Sequence, residues 1–119
     1  MVATFLRECL IDNSREQFIA VYLNHTNQVI GYSIAAIGTQ SQCPVSPAEL
    51  FQKAVLLGAG SLIVAHNHPS GNTEPSKEDI AVTKRIWEAG KLLGITLLDH
   101  IIVCEDKYLS FREENLLES

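Results

Sequence analysis

The feature that most constrains this chain is Ser61-Leu62-Ile63-Val64-Ala65, a nearly uninterrupted apolar run of strand length. A strand that is apolar at successive positions has no solvent face, so it belongs in the interior of a sheet that is covered on both sides. Its flanks read as helices. Before it, Ser46-Pro47-Ala48-Glu49 opens a helix with three agreeing signals. Ser46 can cap, Pro47 suits the first helical position, and Glu49 stands at the third position of a capping box. That helix runs through Leu50, Phe51, Ala54, Val55 and Leu57, and Gly58 can end it. After the run comes a loop, His66–Pro75, and then a second helix start, Ser76-Lys77-Glu78-Asp79. Ile80, Val82, Ile86, Trp87, Leu92 and Leu93 give this helix an expected buried stripe, with Gly94 as its stop.

The remaining segments read mostly as strands. Gln17–Leu23 and Gln28–Gly38 are rich in β-branched and aromatic residues, and the Asn24-His25-Thr26-Asn27 cluster between them predicts a hairpin turn. Ile95–Leu98 and His100–Cys104 are two further apolar runs, with Asp99 marking a bend or bulge between them. Glu105-Asp106-Lys107 reads as a turn and Tyr108–Phe111 as a last short strand, before a polar or weakly helical tail. Leu6, Leu10 and Ile11 fit one face of either a short helix or a strand. The order is β-β-α-β-α-β-β, which predicts an α/β sandwich with a mixed sheet and one core. At 119 residues the chain is expected to be a single domain, 1–119.

Composition excludes several classes of function. Charged residues are 19% of the chain and hydrophobic ones 46%, the balance of an ordinary globular domain. The formal charge of −5 does not suit a general nucleic-acid binder, which needs a basic face to displace counterions. No apolar stretch is long enough to span a membrane, and the N-terminus does not read as a secretory signal. Cys9, Cys43 and Cys104 are odd in number and far apart, which predicts free thiols and a cytoplasmic protein.

The chemistry concentrates between residues 65 and 79. His66 and His68 stand two apart at a strand end, so both imidazoles reach one side and can meet one ion. Asn67 points the other way. Eleven residues beyond His68, Asp79 lies in the first turn of the second helix, within reach of a ten-residue loop folded back over the strand end. Two imidazoles and a carboxylate make a three-ligand set that leaves a fourth position for water, the pattern of a catalytic zinc site. The same ligands also suit iron, manganese or nickel. Ser76, as the helix cap, accepts a backbone N–H and keeps its hydroxyl proton available for a developing oxyanion. Such a donor is worth about 3–4 kcal/mol in a hydrolase. Pro69 and Pro75 stiffen the loop and Gly71 permits a turn.

The spacing His66-x-His68, seven residues, Ser76-x-x-Asp79 resembles the metal motif of the JAMM (MPN+/JAB) metalloproteases. The run His66-Asn67-His68-Pro69-Ser70-Gly71 with Glu74-Pro75-Ser76 is similar to the RadC-like branch of that family. Ser14–Phe18, Ser46–Phe51 and Leu98–Val103 carry the likeness further, over roughly residues 12–112. The resemblance implies a three-layer, cytidine-deaminase-like α/β/α sandwich that binds one zinc ion through His66, His68 and Asp79. It further implies Ser76 as oxyanion donor and an upstream glutamate as general base. Glu16, just before the first strand, is the leading candidate for the base. Glu49 is the alternative, and Glu8, Glu74 and Glu78 are weaker ones. The implied activity is hydrolysis of a peptide or isopeptide bond in a peptide or protein substrate. The competing readings are a non-catalytic JAB scaffold and a DNA-repair-associated, nucleic-acid-linked role. The HxE…PCxxC signature of a cytidine deaminase is absent from the sequence.

Other residues have simpler expectations. His100, after Asp99, reads as a hydrogen-bonded core histidine, with a supporting role behind a metal ligand as the alternative. His25 is expected in an exposed turn, Trp87 in the core and Glu113-Glu114 on the surface. Ser70 and Ser110 lack the partners of a serine nucleophile. An edge strand can pair in a homodimer, but no residue specifies it.

Overall fold

A computed structural model describes residues 16–38, 45–68, 73–104 and 107–117. The strands are β1 (Glu16–Leu23), β2 (Val29–Gly38), β3 (Ser61–Asn67), β4 (Thr96–Val103) and β5 (Tyr108–Ser110). The helices are α1 (Pro47–Leu57) and α2 (Lys77–Leu93). The five strands form one mixed sheet in the order β2-β1-β3-β4-β5. Only the β3–β4 pair is parallel, joined through α2; β1–β2, β1–β3 and β4–β5 are antiparallel. The apolar run is therefore an interior strand, as its composition requires, and β3 is buried at every position.

Alternation sorts the strands onto two faces. Phe18, Ala20 and Tyr22 of β1 and Leu62 and Val64 of β3 pack with Leu50, Phe51 and Ala54 of α1 and Ile86 of α2. Both described helices thus share one face. Ile19, Val21, Leu23, Ile63, Ala65, Ile101 and Val103 form a second buried cluster on the other. Burying a core of this kind is the main force holding the sheet and helices together. The expectations for residues 1–15, and for Cys9, Cys43, Glu8, Pro69, Ser70 and Gly71, lie outside the described residues.

The local signals act as elementary chemistry dictates. Asn24 Oδ1 accepts the backbone N–H of Thr26 and of Gln28, and Asn27 takes a positive φ of 63°, which closes the β1–β2 hairpin. Ser46 Oγ accepts the Glu49 N–H at 3.3 Å to start α1, and Gly58 ends it in the left-handed region. Gly94 does the same for α2 with φ 74°.

The bulge expected at Asp99 is present, one residue earlier. The apolar runs around Asp99 are one strand: Leu62 pairs with Leu97 but Ile63 pairs with Asp99, so Leu98 is the extra residue of a bulge. Asp99 fixes this irregularity, because its carboxylate accepts the backbone N–H groups of His100 and Arg112 and the Ser110 hydroxyl. The bulge turns Leu97 and His100 toward the same, helix-covered face. The buried stripe of α2, by contrast, differs from the expected one. Ile80, Leu92 and Leu93 are exposed, Leu92 by 89%. The buried residues are Asp79, Thr83, Ile86 and Gly90, spaced four, three and four apart. Gly90 is required there, since a Cβ would stand 2.2 Å from the Ile95 carbonyl oxygen. Val82 and Trp87 are half-buried, and Lys91 Nζ sits 4.5 Å from the Trp87 ring centre. In α1, Leu50, Phe51 and Ala54 are buried, but Val55 and Leu57 are exposed. His25 is exposed in its turn, as its sequence context suggests.

Candidate metal centre

The carboxyl end of β3 carries His66 toward the helices, and the backbone continues so that His68 turns to the same point. Val103 holds that continuation by accepting the His68 N–H at 3.2 Å. Asn67, between them, points to the other side and accepts the Gln17 N–H on its Oδ1 at 2.7 Å. That bond ties the start of β1 to the end of β3. The antiparallel register, with Phe18 opposite His66, then brings Glu16 to the same end of the sheet.

Asp79 arrives from α2. Ser76 and Asp79 form a reciprocal capping box: Ser76 Oγ accepts the Asp79 N–H at 3.0 Å, and Asp79 Oδ2 accepts the Ser76 N–H at 2.8 Å. One carboxylate oxygen is thereby anchored to the helix start while the whole group faces the histidines. His68 Nε2 lies 3.1 Å from Asp79 Oδ2, and His66 Nε2 lies 3.2 Å from Asp79 Oδ1. His66 Nε2 and His68 Nε2 are 2.9 Å apart, and Glu16 Oε1 is 3.6 Å from His66 Nε2.

These four residues each offer one donor atom, all within 4.8 Å of one another. Tetrahedral zinc, with ligand bonds of roughly 2.0–2.2 Å, sets its donors about 3.3–3.6 Å apart. The observed separations bracket that spacing, and nitrogen plus carboxylate oxygen is a donor set zinc accepts. The residues therefore fit a metal ion. Glu49 does not join this group; it is exposed on the first turn of α1, and its described bond is the backbone one to Ser46. Glu74 and Glu78 are exposed as well.

The electrostatics follow from burial. Burial would raise the Asp79 pKa, but hydrogen bonds from His66 and His68, the charge of His66, and the Ser76 N–H outweigh it. The carboxyl is held well below the usual carboxylate range, hence ionised. Glu16 moves the other way: burial raises its pKa, only partly opposed by His66 and His68, and Asp79 adds to the rise. Two carboxylates in one site thus have opposite tendencies, one fixed as an anion and one prone to hold a proton.

A further layer supports His66. His100 is completely buried, and its Nε2 meets His66 Nδ1 at 2.8 Å. Its Nδ1 meets the hydroxyl of Thr83, which also donates to the Asp79 carbonyl at 2.6 Å. Burial, together with the nearby His66, pushes the His100 pKa well below the histidine range, so the ring is neutral. Phe18 stacks on His66 at 5.8 Å and Phe111 on His100 at 4.4 Å, which locks both ring planes. His100 is thus the buried, hydrogen-bonded histidine expected from the sequence, and its partner is a candidate ligand. Thr83 was missed. The available signal was its position four residues after Asp79, on the same helix face. Cys104 is buried, and its Sγ lies 3.8 Å from the His68 carbonyl oxygen.

Comparison with known proteins identifies the family. The family model of the RadC-like JAB domain matches residues 1–116. A UPF0758 protein of Carboxydothermus hydrogenoformans is 48% identical over 97% of this chain and 51% of its own length. One from Desulforamulus reducens is 45% identical over 98% of this chain, again 51% of the relative. One from Methanosarcina mazei is 39% identical, with the same coverage of 98% and 51%. The chain belongs to the RadC-like JAB domain family, and it spans about half the length of these relatives. Among the described residues, no helix is long and apolar enough to cross a membrane.

Proposed function

We propose that this domain is a zinc-dependent hydrolase of the JAMM type that cleaves a peptide or isopeptide bond. The observation that carries the reading is the convergence of Glu16, His66, His68 and Asp79 from β1, β3 and α2 on one point. His66, His68 and Asp79 would hold the metal, each offering an atom that is a good zinc ligand. Bound zinc would supply an activated water and polarise the scissile carbonyl. Glu16 is the general base: its raised pKa suits a group that takes a proton and passes it to the leaving amine. Asp79 stays anionic throughout, because its capping bonds and the imidazoles favour the charged form. Ser76 keeps its hydroxyl proton after accepting the Asp79 N–H, and it donates a hydrogen bond to the oxyanion as negative charge develops.

The test is hydrolysis of peptide and ubiquitin-like isopeptide substrates by the zinc-loaded chain and its Glu16→Gln variant. The reading expects cleavage by the wild type and a loss of about 100-fold or more in the variant, with zinc still bound. Full turnover by the Glu16→Gln variant would overturn the assignment of the base. A zinc-loaded wild type that cleaves nothing would favour a scaffold.

A further inference from the structure

One flank of α2 repeats with the period of a helix–helix seam. Lys77, Ile80, Lys84, Trp87 and Lys91 are spaced three, four, three and four apart, which sets them in a single stripe. From Ile80 onward each follows a buried residue by one position, so the stripe lies about 100° round the helix from Asp79, Thr83, Ile86 and Gly90. The three lysines are exposed, Ile80 is exposed by 45%, and Trp87 is half-buried. Helix stability does not account for these lysines. Lys77 stands at the first helical position, where a cation opposes the helix dipole. Lys84 has Glu88 four residues on, yet among the described residues no ion pair involves Lys77, Lys84 or Lys91. Only Lys91 has a local role, in the last turn and over the Trp87 ring. The molecule carries a formal charge of −5, so this basic surface is local.

We infer that this stripe is a docking surface for an acidic amphipathic helix of a partner protein. Lysine at every seventh residue, with an apolar residue between, reads as the a and d positions of a two-helix seam. The lysines recur about every 10.5 Å along the axis. A partner helix with acids at the same seven-residue interval meets all three, and its intervening apolar side chains cover Ile80 and Trp87. The opposed charges set register and orientation, and the apolar contacts supply burial. A single-stranded nucleic acid fits less well: it needs a series of aromatic platforms, and this stripe holds one aromatic ring and an aliphatic Ile80. The surface begins on the helical turn that carries Asp79, so a docked partner lies beside the candidate metal centre. Docking itself needs no metal and stands apart from the hydrolase reading.

Trp87 is the only tryptophan in the chain, so its fluorescence reports docking directly. The probe is a synthetic three-heptad peptide with Glu at each a position and Leu at each d position, beside a scrambled peptide of the same composition. Titrated into the full chain, the heptad peptide is expected to shift the Trp87 emission saturably, less strongly as salt rises, and the scrambled peptide is not. Lys84→Glu is expected to lower the affinity about 10-fold or more. Arg85→Glu makes the same change in net charge on the far side of the stripe and is expected to bind as the wild type does. Circular dichroism checks that both variants fold. A heptad peptide that leaves Trp87 unchanged overturns the inference, as do a scrambled peptide that binds equally and equal losses in the two variants. An oligothymidine strand that shifts Trp87 where the heptad peptide does not replaces the helix with a nucleic acid. If Lys84→Glu fails to fold, the two peptides on the wild type still decide.

Discussion

The two helices open on the same device, and only one opens on a site. Ser46-Pro47-Ala48-Glu49 and Ser76-Lys77-Glu78-Asp79 each place a serine at the cap and an acid three residues on. In both, the serine oxygen accepts the N–H of that acid, at 3.3 Å in α1 and 3.0 Å in α2. The local physics is shared; the surroundings differ. Glu49 is exposed to solvent, whereas Asp79 is buried against two histidines delivered by β3. A capping motif becomes part of a candidate metal centre only where the sheet brings nitrogen donors to the helix start.

Replacing the two acids should give the widest contrast. Asp79→Asn is expected to reduce zinc affinity by more than about 100-fold, beyond the usual loss of a supporting residue, and to abolish hydrolysis. Glu49→Gln should leave both unchanged. Chelator competition on the two variants decides it, and equal losses would erase the distinction between the helices.

The serines separate two roles that the motif combines. Each Ser→Ala change should cost about 1 kcal/mol of stability through the lost cap, read by denaturant melts. Ser76→Ala should also lower turnover by about 10²–10³-fold, the loss typical of an oxyanion donor. Ser46→Ala should not. A turnover loss in Ser46→Ala as large as in Ser76→Ala would show that the effect is folding, not chemistry.

The smallest effect lies in the acid limb of the metal-free protein. Asp79 has a lowered pKa in the fold, so its contribution to stability is present above the unfolded value, about 4. It is lost as the pH falls through the folded value. Thermal melts should show a wild type that loses stability below about pH 4 and an Asp79→Asn variant with a flatter decline. Parallel acid limbs would contradict the charge assignment.

Much of this was legible in the sequence because it is local. The hairpin turn at Asn24–Asn27, the two caps, the interior strand and the His66, His68, Asp79 set depend on spacings of about a dozen residues or fewer. What was less legible depends on pairing across the sheet. Glu16 lies fifty residues before His66 and reaches it through the β1–β3 register, which no local pattern announces; the family likeness supplied it. His100 reaches His66 only because Leu98 bulges and turns the strand. The α2 stripe departs from its apolar count for a related reason. Counting apolar residues favoured Ile80, Leu92 and Leu93, but the helix presents Asp79 to the histidines and Gly90 to the Ile95 carbonyl. The packing of Asp79, Thr83, Ile86 and Gly90 sets its rotation.

The central claim is that the β3 end and the α2 start together hold one metal ion. The most direct measurement is elemental analysis of the chain purified without added metal, beside His68→Ala. The account predicts one zinc per chain in the wild type and none in the variant. A wild type that holds no metal even after zinc is offered at neutral pH would contradict it.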